Sequence, residues 1–383
     1  MLSKYEKKKY FQTIFFLVFL QADGSDPYIR QINDSNVTWE QYRNAYYRNT
    51  LQVLRQLVGP DALIMSRPVD QDKDYSPRDV VFMGWVGDED GTYDGLKTAL
   101  RYMLESGRHN YVGFGSDIGG FRTDPKVSPL GRTKELLLRW TAVGALSSYM
   151  ENGGRGEHFP WNFDNETVDV YRSWVNLHYK LVPYLYSEGT KVALASNGTL
   201  MKPCDDQQAA DSQSYFLGPN YYVVPVTRDP TAGQLQQVWL PKSSTNQWIN
   251  VFNTSATHKA ESFIQEDTSS LYRIPFYVEQ NSLTPMYDTE KSSSLNAYRF
   301  VLWGKVTLDR QTTNLFTRDG QHWALEFNRL ENMFTARFIE QYESGSKEQW
   351  IWKFCQYVNQ QEICSNDWMK LNDDASIHLD FLI

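Results

Sequence analysis

Three aspartates follow short apolar runs that are typical of buried strands: Asp23, Asp88 and Asp117. Two carboxyl groups at neighbouring strand ends have the chemistry to break a glycosidic bond with retention of configuration. One carboxylate attacks the anomeric carbon, and the other protonates the leaving oxygen and then activates water. A structural interpretation stands beside this one, because an aspartate at a strand exit also caps the following helix or sits in a turn.

The elements around these aspartates predict a parallel α/β architecture, since strands and helices alternate along the chain. Helices are predicted at Trp39–Leu57, with Tyr42, Tyr46, Leu51 and Leu54 on one side, and at Tyr93–Ser106, Thr133–Met150 and Val168–Lys191. Strands are predicted at 62–67, 80–85 and 111–117. Polar strand exits at one edge are typical of a (β/α)8 barrel. A closed barrel needs eight such units and only four or five are visible, so either the fold is smaller or the chain is truncated. The motif resemblance described below implies the second alternative, the C-terminal portion of a truncated (β/α)8 barrel.

The pattern changes after about residue 200. Short strands are predicted at 221–226, 237–240, 248–251 and 273–278, separated by turns rich in Gly, Asn, Ser and Asp. We therefore expect a partial (β/α)8 catalytic domain at 23–200, a proximal β-sandwich at 201–286 and a distal β-rich domain at 287–383.

Residues 1–22 are open to three interpretations. Lysines precede a short apolar run at 14–20, a pattern typical of a secretory signal peptide and too short to cross a bilayer. The same run is compatible with a buried parallel strand. The third interpretation is a translated non-coding segment, since the motifs described below begin abruptly at Asp23.

The composition limits the classes of partner and cofactor that are expected. The net charge of −8 and the single short basic block argue against nucleic acid. No Cys/His cluster has metal-ligand spacing and no Gly-rich phosphate loop occurs, so no cofactor is expected. The high aromatic content of 15% fits stacking on sugar rings, but composition alone favours aromatic-rich β structure.

The cysteines and the glycosylation sequences bear on the compartment. The three cysteines allow one disulfide, and Cys355 and Cys364 are the nearest pair in sequence. Five Asn-X-Ser/Thr sequences favour a secreted or lysosomal protein. They begin at Asn33, Asn36, Asn165, Asn197 and Asn253.

The order of several motifs resembles glycoside hydrolase family 31, the α-glucosidase and α-xylosidase family. Trp85-Val86-Gly87-Asp88 is similar to its acid/base motif, and 22–28 resembles the nucleophile strand exit in one of its branches. The other similar segments are Met65–Pro68, Gly115–Phe121, Arg139-Trp140, Met150–His158 and Pro183–Tyr186. The loop 151–161 departs from the Arg-X-His form of the α-glucosidases, which leaves the sugar open among glucose, xylose, galactose and modified hexoses.

The resemblance implies a role for each matching residue. Asp23 would be the nucleophile and Asp88 the acid/base. Sugar hydroxyls would be bound by Arg67, Asp117 and His158.

Two further assignments stay open between function and structure. Asp26 would support the nucleophile or form an Asp-Pro turn, and Trp85 would wall the pocket or pack in the core. Glu157 would touch substrate or pair with Arg155, whereas His178 is predicted to be a satisfied core histidine.

Two functions follow. The first is a retaining α-glycoside hydrolase that acts on terminal α-linked sugars. The alternative is a truncated, non-catalytic relative that only binds carbohydrate.

Overall fold

The computed structural model divides the chain into two compact units, Met1–Gly87 and Asp88–Ile383. The structure describes residues 19–22, 36–60, 62–67, 77–81, 83–123, 126, 128–209, 213–229, 234–289, 297–317, 321–341, 351–358, 361–365, 369–370 and 375–378. Asp23 and Asp26, the predicted nucleophile and its supporting residue, lie outside the described residues.

Within its described residues, the first unit contains three short parallel strands and one helix. They are β1 (Phe19–Ala22), α1 (Trp39–Val58), β2 (Leu63–Ser66) and β3 (Met83–Trp85). β2 lies between β1 and β3 and pairs with both in parallel. Residues 19–22 therefore form a strand, which overlaps the end of the apolar run 14–20 interpreted above as a possible strand. Residues 14–18 of that run lie outside the described residues.

Helix α1 begins at a capping box and ends at a glycine. Thr38 Oγ1 accepts a hydrogen bond from Gln41 N, and the Gln41 side chain accepts one from Thr38 N. The buried side of α1 carries Tyr47 and Leu51, with Tyr46 and Leu54 packed at its edge. The prediction for Tyr42 was wrong, because the 3.6-residue period that places Tyr47 and Leu51 inward leaves Tyr42 42% exposed.

The second unit opens with three helices and a strand. They are α2 (Tyr93–Arg108), β4 (Gly113–Gly115), α3 (Lys134–Ala145) and α4 (Asn165–Ala195). The predicted positions of these elements are correct, with different ends. Helix α3 stops at Ala145, five residues before the predicted end, because Ser147 Oγ donates to the Gly144 and Tyr149 carbonyls and stabilises a turn there. Within the described residues, no helix has the length and apolarity to cross a membrane.

The N-terminus of α4 depends on Asp164. Its Oδ1 accepts hydrogen bonds from Thr167 N and Thr167 Oγ1, both at 2.7 Å, and Oδ2 lies 2.8 Å from Lys134 Nζ. Hydrogen bonds from Lys134 and Thr167 lower the pKa of Asp164 to about 2. This carboxylate therefore stabilises the fold above its ordinary pKa, and the effect is lost as the pH falls through about 2.

We expect Asp164→Ala to destabilise the second unit by about 1 kcal/mol at neutral pH, the typical value for an N-cap. Asp169→Ala is the matched control, since Asp169 is an exposed residue of the same helix that pairs with Arg172. Hydrogen exchange of the first turn of α4, with and without urea, measures the difference. Equal exchange rates in the two variants would contradict the capping role.

The proximal β region forms a six-stranded antiparallel sheet and a separate two-stranded ribbon. The strands are β5 (Met201–Pro203), β6 (Tyr215–Leu217), β7 (Tyr221–Val223), β8 (Leu235–Leu240), β9 (Gln247–Asn250), β10 (Asn253–Lys259), β11 (Ser262–Asp267) and β12 (Phe276–Glu279). The sheet order is β10-β9-β12-β7-β6-β5, and β11 pairs with β8. Tyr222, Trp248 and Tyr277 anchor its buried core.

The distal β region consists of two sheets that share one core. One sheet contains β13 (Leu283–Tyr287), β14 (Ala297–Trp303), β18 (Ile351–Val358), β19 (Gln361–Cys364) and β20 (Met369–Lys370). The other contains β15 (Arg310–Phe316), β16 (Gln321–Asn328), β17 (Met333–Gln341) and β21 (Ala375–His378). Phe300, Phe334 and Trp352 pack together between them. Cys355 and Cys364, opposite each other on β18 and β19, form a disulfide.

Candidate active site at the loops after β3 and β4

The loop after β3 carries the Trp-Val-Gly-Asp motif. Within the first unit, the Arg67 side chain lies against Gly87, where an added Cβ would stand 2.6 Å from Arg67 Cδ. Gly87 also has φ +121°, a conformation that L side chains rarely adopt. The positive φ therefore favours glycine before Asp88, and its missing side chain leaves space that the Arg67 side chain occupies. Trp85 is 3% exposed, which fits core packing and a pocket wall equally well.

In the second unit, the backbone that follows Asp88 is fastened to the loop that follows Asp117. Arg122 N donates to Glu89 O at 3.0 Å, and Gly91 N donates to Arg122 O at 2.8 Å. Gly120 has φ +81°, and a Cβ there would lie 2.7 Å from the Asp90 carbonyl carbon. The two loops approach this closely only because residue 120 has no side chain.

The loop 151–158 is the third loop of the site. Asp117 and Glu151 form a parallel bridge, and Ile118 N donates to Glu151 O at 3.2 Å. Farther along, Arg155 N donates to Phe121 O at 2.8 Å. The loops after β3 and β4 and the loop 151–158 therefore form one hydrogen-bonded cluster, which we call the acid loop cluster (residues 88–92, 117–122 and 151–158).

Arg132 joins two of these loops from inside. Its side chain is fully buried, and its guanidinium donates to four backbone carbonyls. The accepting carbonyls and distances are Gly119 at 2.9 Å, Gly120 at 2.8 Å, Arg155 at 2.7 Å and Glu157 at 2.5 Å. Burial lowers the pKa of Arg132 from its ordinary value, while the charges of Glu157 and Asp117 act in the opposite direction. The rigid fork of arginine suits this arrangement, because lysine has no second arm.

His158 is buried at the end of the third loop, with 7% of its surface exposed. Its Nε2 donates to Arg155 O at 3.0 Å. Burial, followed by the positive charge of Arg132, lowers the pKa of His158. The imidazole is therefore neutral at neutral pH, and Nδ1 is its acceptor atom.

Glu151 and Asp117 form a crowded acidic pair. Asp117 is 3% exposed. Burial first, and then the charge of Asp117, raise the pKa of Glu151 to about 7. Burial and the charges of Glu151 and Asp117 also raise the pKa of Tyr149 well above its ordinary value. The pair therefore holds about one proton, on Glu151, at pH values well below 7, and Glu151 is about half protonated at neutral pH.

This proton has a consequence for stability. The raised pKa of Glu151 means that the folded state binds more protons than the unfolded state between the ordinary pKa of 4.5 and about 7. The free energy of unfolding contributed by this group therefore falls as the pH rises through that window and is constant above it.

We expect Glu151→Gln to remove this pH dependence. The urea midpoint of the variant minus that of the wild type should grow between about pH 4.5 and about pH 7 and then level off. Taking the difference between the two midpoints cancels the contributions of the other titrating groups. A difference that is flat with pH would contradict the shared proton.

The Glu157 carboxylate bonds to groups other than Arg155, the pairing partner predicted for it. Its carboxylate accepts from Phe159 N at 2.7 Å and from Asn162 Nδ2 at 2.6 Å. It thereby holds the 3-10 turn Pro160–Asn162, which presents the stacked rings of Phe159 and Trp161 to solvent.

Both residues of the Arg139-Trp140 motif stabilise the structure around the site. Trp140 Nε1 donates to Ser116 Oγ at 2.8 Å and so fixes the strand exit directly before Asp117. Arg139 donates to the Thr268 and Ser270 carbonyls, which ties α3 to the proximal β region. His178 Nδ1 lies 2.9 Å from the Ala145 carbonyl, as expected of a satisfied core histidine.

The structure brings together some of the predicted site residues. Asp88, Asp117 and His158 lie in the acid loop cluster of the second unit, and Arg67 and Trp85 belong to the first unit. Sequence reasoning missed Arg132 and Glu151 as site residues. Within the described residues, no group of three or more His, Cys, Asp or Glu side chains has the arrangement of a metal site.

Comparison with curated proteins gives consistent relatives. An α-xylosidase of Emericella nidulans is 29% identical over 216 residues, which span 54% of this chain and 26% of that enzyme. α-Glucosidase 2 of Bacillus thermoamyloliquefaciens is 23% identical over 252 residues, which span 63% of this chain and 30% of that enzyme. The chain thus spans between a quarter and a third of the length of these relatives.

Solved structures show the same fold. The α-xylosidase of Xanthomonas citri superposes with a TM-score of 0.70 at 18% identity, covering 88% of this chain and 39% of that one. The Flavobacterium johnsoniae dextranase gives a TM-score of 0.71 at 16% identity, covering 88% of this chain and 48% of that one. Residues 76–188 match the profile of the glycosyl hydrolases family 31 TIM-barrel domain. The segment 76–188 is thus similar to the TIM-barrel domain of glycoside hydrolase family 31.

Proposed function

We propose that the protein is a retaining hydrolase of terminal α-linked sugars, with Asp23 as nucleophile and Asp88 as acid/base. The observation that supports this best is the fastening of the loop after Asp88 to the loop after Asp117. The residues that the family resemblance assigns to the acid/base and to sugar binding thereby lie on adjacent, mutually hydrogen-bonded loops.

The proposed reaction has two displacements. Asp88 gives its proton to the glycosidic oxygen while the Asp23 carboxylate attacks the anomeric carbon, so that the leaving alcohol departs and a glycosyl ester forms. Asp88, now ionised, takes a proton from water as the water oxygen attacks the anomeric carbon. The ester bond to Asp23 breaks, and both carboxyl groups return to their starting states. This chemistry requires the two carboxyl groups to lie about 5–5.5 Å apart.

The remaining predicted residues would hold the terminal sugar. Asp117 and Arg67 would bind its hydroxyl groups. His158 would accept a hydrogen bond from a hydroxyl group at Nδ1, because its Nε2 already donates to Arg155 O. Asp26 would support the nucleophile, and Trp85 would wall the pocket. On this proposal, the chain supplies the C-terminal part of a (β/α)8 barrel followed by the two β regions.

We propose a secretory, lysosomal or extracellular location. The Cys355–Cys364 disulfide supports it, because disulfides persist in oxidising compartments. The acceptor asparagines of the glycosylation sequences add support, since those that the structure describes are exposed: Asn36, Asn165, Asn197 and Asn253. A mobility shift after removal of N-glycans from the native protein tests this location, and an unshifted band would count against it.

A panel of aryl α-glycosides tests the proposed activity. We expect release of the aryl group from an α-glucoside, α-xyloside or α-galactoside, and none from the matching β-glycosides. The assay is run on this chain and on any longer product of the same gene. Binding of methyl α-glycosides without any hydrolysis by either protein would favour the carbohydrate-binding alternative.

A further inference from the structure

The acidic pair of the acid loop cluster has a fixed geometry. Asp117 and Glu151 are partners in a parallel bridge, and the Ile118 N–Glu151 O hydrogen bond sets their register. Residues paired in register project their side chains from the same face. The Glu151 carboxyl group is therefore placed beside that of Asp117, the residue proposed to bind sugar hydroxyls.

The Glu151 carboxyl group has hydrogen-bonding capacity that the protein leaves unused. Its Oε2 is buried and makes no hydrogen bond with the described residues. Gly153 lies close against Asp117, since an added Cβ would stand only 3.2 Å from Asp117 Oδ1. A buried polar oxygen without a hydrogen-bond partner in the protein is the arrangement expected where a ligand supplies the partner.

The described titratable groups around the Asp117–Glu151 pair do not neutralise its charge. Tyr149, two residues before Glu151, stays protonated because burial and the two acids raise its pKa. The Arg132 guanidinium is committed to four carbonyls, and His158 is neutral because burial and Arg132 lower its pKa. Within this part of the structure, the repulsion between the two carboxyl groups is thus relieved mainly by the proton on Glu151. The raised pKa of Glu151 supports this.

We propose that Glu151 is a specificity-determining residue of the sugar site: as a neutral acid beside ionised Asp117, it gives the pair one donor and one acceptor for the hydroxyls of an uncharged sugar. The inference rests on the proposed function and deepens it. Two ionised carboxylates would offer acceptors only. A sugar acid would place a third carboxylate against the pair, so the site should reject uronic acids.

The protonation of the Glu151 carboxyl group can be measured in the absence of sugar. Infrared difference spectra of the full chain, wild type minus Glu151→Gln, should contain the carbonyl band of a protonated carboxyl at about pH 5.5 and lose it by about pH 8.5. Glu135→Gln serves as a control, because Glu135 lies in the first turn of α3 outside the acid loop cluster. Absence of the band at the lower pH would overturn the proposal.

Recognition is measured by saturation-transfer NMR with methyl α-glucoside, methyl α-xyloside and D-glucuronic acid. Wild-type affinity for the neutral sugar that binds should fall about tenfold between about pH 5.5 and about pH 8.5. Glu151→Gln, which keeps a neutral donor, should bind about as well as the wild type does at the lower pH and lose the pH dependence. Glu151→Ala should bind about tenfold more weakly at both.

The outcomes of the binding experiment distinguish the role of Glu151 from the proposed catalytic function. Equal weakening by Gln and Ala, or tight binding of glucuronic acid, would overturn the role of Glu151. Wild-type binding with the expected pH profile and no hydrolysis would keep the role of Glu151 and reject the catalytic function. A chain that binds none of the three sugars at either pH would reject Glu151 as a sugar-site residue, even if the infrared band were present.

Discussion

Asp88→Asn is expected to lower kcat for unactivated α-glycosides by about 10²–10⁴-fold, the usual contribution of general acid–base catalysis. The amide has nearly the same shape as the carboxyl group but cannot give a proton to the leaving oxygen or take one from water. Steady-state kinetics on an α-linked disaccharide of the sugar that the panel identifies, using the catalytically active form of the protein, measure the loss.

The leaving group separates acid catalysis from a general loss of structure. A dinitrophenyl α-glycoside needs little protonation as it departs, so its first step should be far less affected by Asp88→Asn than that of the disaccharide. Asp94→Asn is the matched control, since Asp94 is an exposed residue nearby that pairs with Lys97. Unchanged disaccharide turnover in Asp88→Asn would remove Asp88 from the mechanism.

Arg132→Met is expected to destabilise the acid loop cluster by about 3–5 kcal/mol, because each buried carbonyl left without a partner costs about 1–3 kcal/mol and relaxation recovers part of the total. The substitution fills much of the same volume but removes all four hydrogen bonds to the loops after β4 and before α4. Amide hydrogen exchange measures it, with faster exchange expected at Gly120 and Arg155.

Two further variants sharpen this prediction. Arg172→Met removes an exposed arginine that pairs with Asp169 on α4, and it should change stability by less than about 0.5 kcal/mol. Arg132→Lys should give an intermediate effect, because lysine keeps the charge without the fork. If Arg132→Met exchanges no faster than Arg172→Met at residues 117–122 and 151–158, then Arg132 does not hold these loops.

The helices were predictable from sequence because their signals are local. Gly59 ends α1, and the apolar periodicity of α3 and α4 spans several turns. Strands β10 and β11 were missed, since their exposed and half-exposed residues carry no apolar run. Helix α3 was predicted too long, because its end depends on a Ser147 turn that periodicity does not encode.

The site was predictable only in part. Asp88 and Asp117 stood out because each follows an apolar strand, and His158 entered through the resemblance. Arg132 lies in a polar stretch with no motif, and its role depends on carbonyls brought together from distant positions. Glu151 acquires its significance from a bridge to Asp117 across 34 residues of chain. Tertiary pairing of this kind leaves no local signal in a single sequence.

The central claim is that Asp23 and Asp88 hydrolyse α-glycosides by two displacements. Proton NMR of the anomeric region, recorded during the first minutes of hydrolysis of an aryl α-glycoside before mutarotation, tests it directly. Two successive inversions predict that the α-anomer of the free sugar appears first and then decays to the equilibrium mixture. Initial appearance of the β-anomer would contradict the double-displacement mechanism.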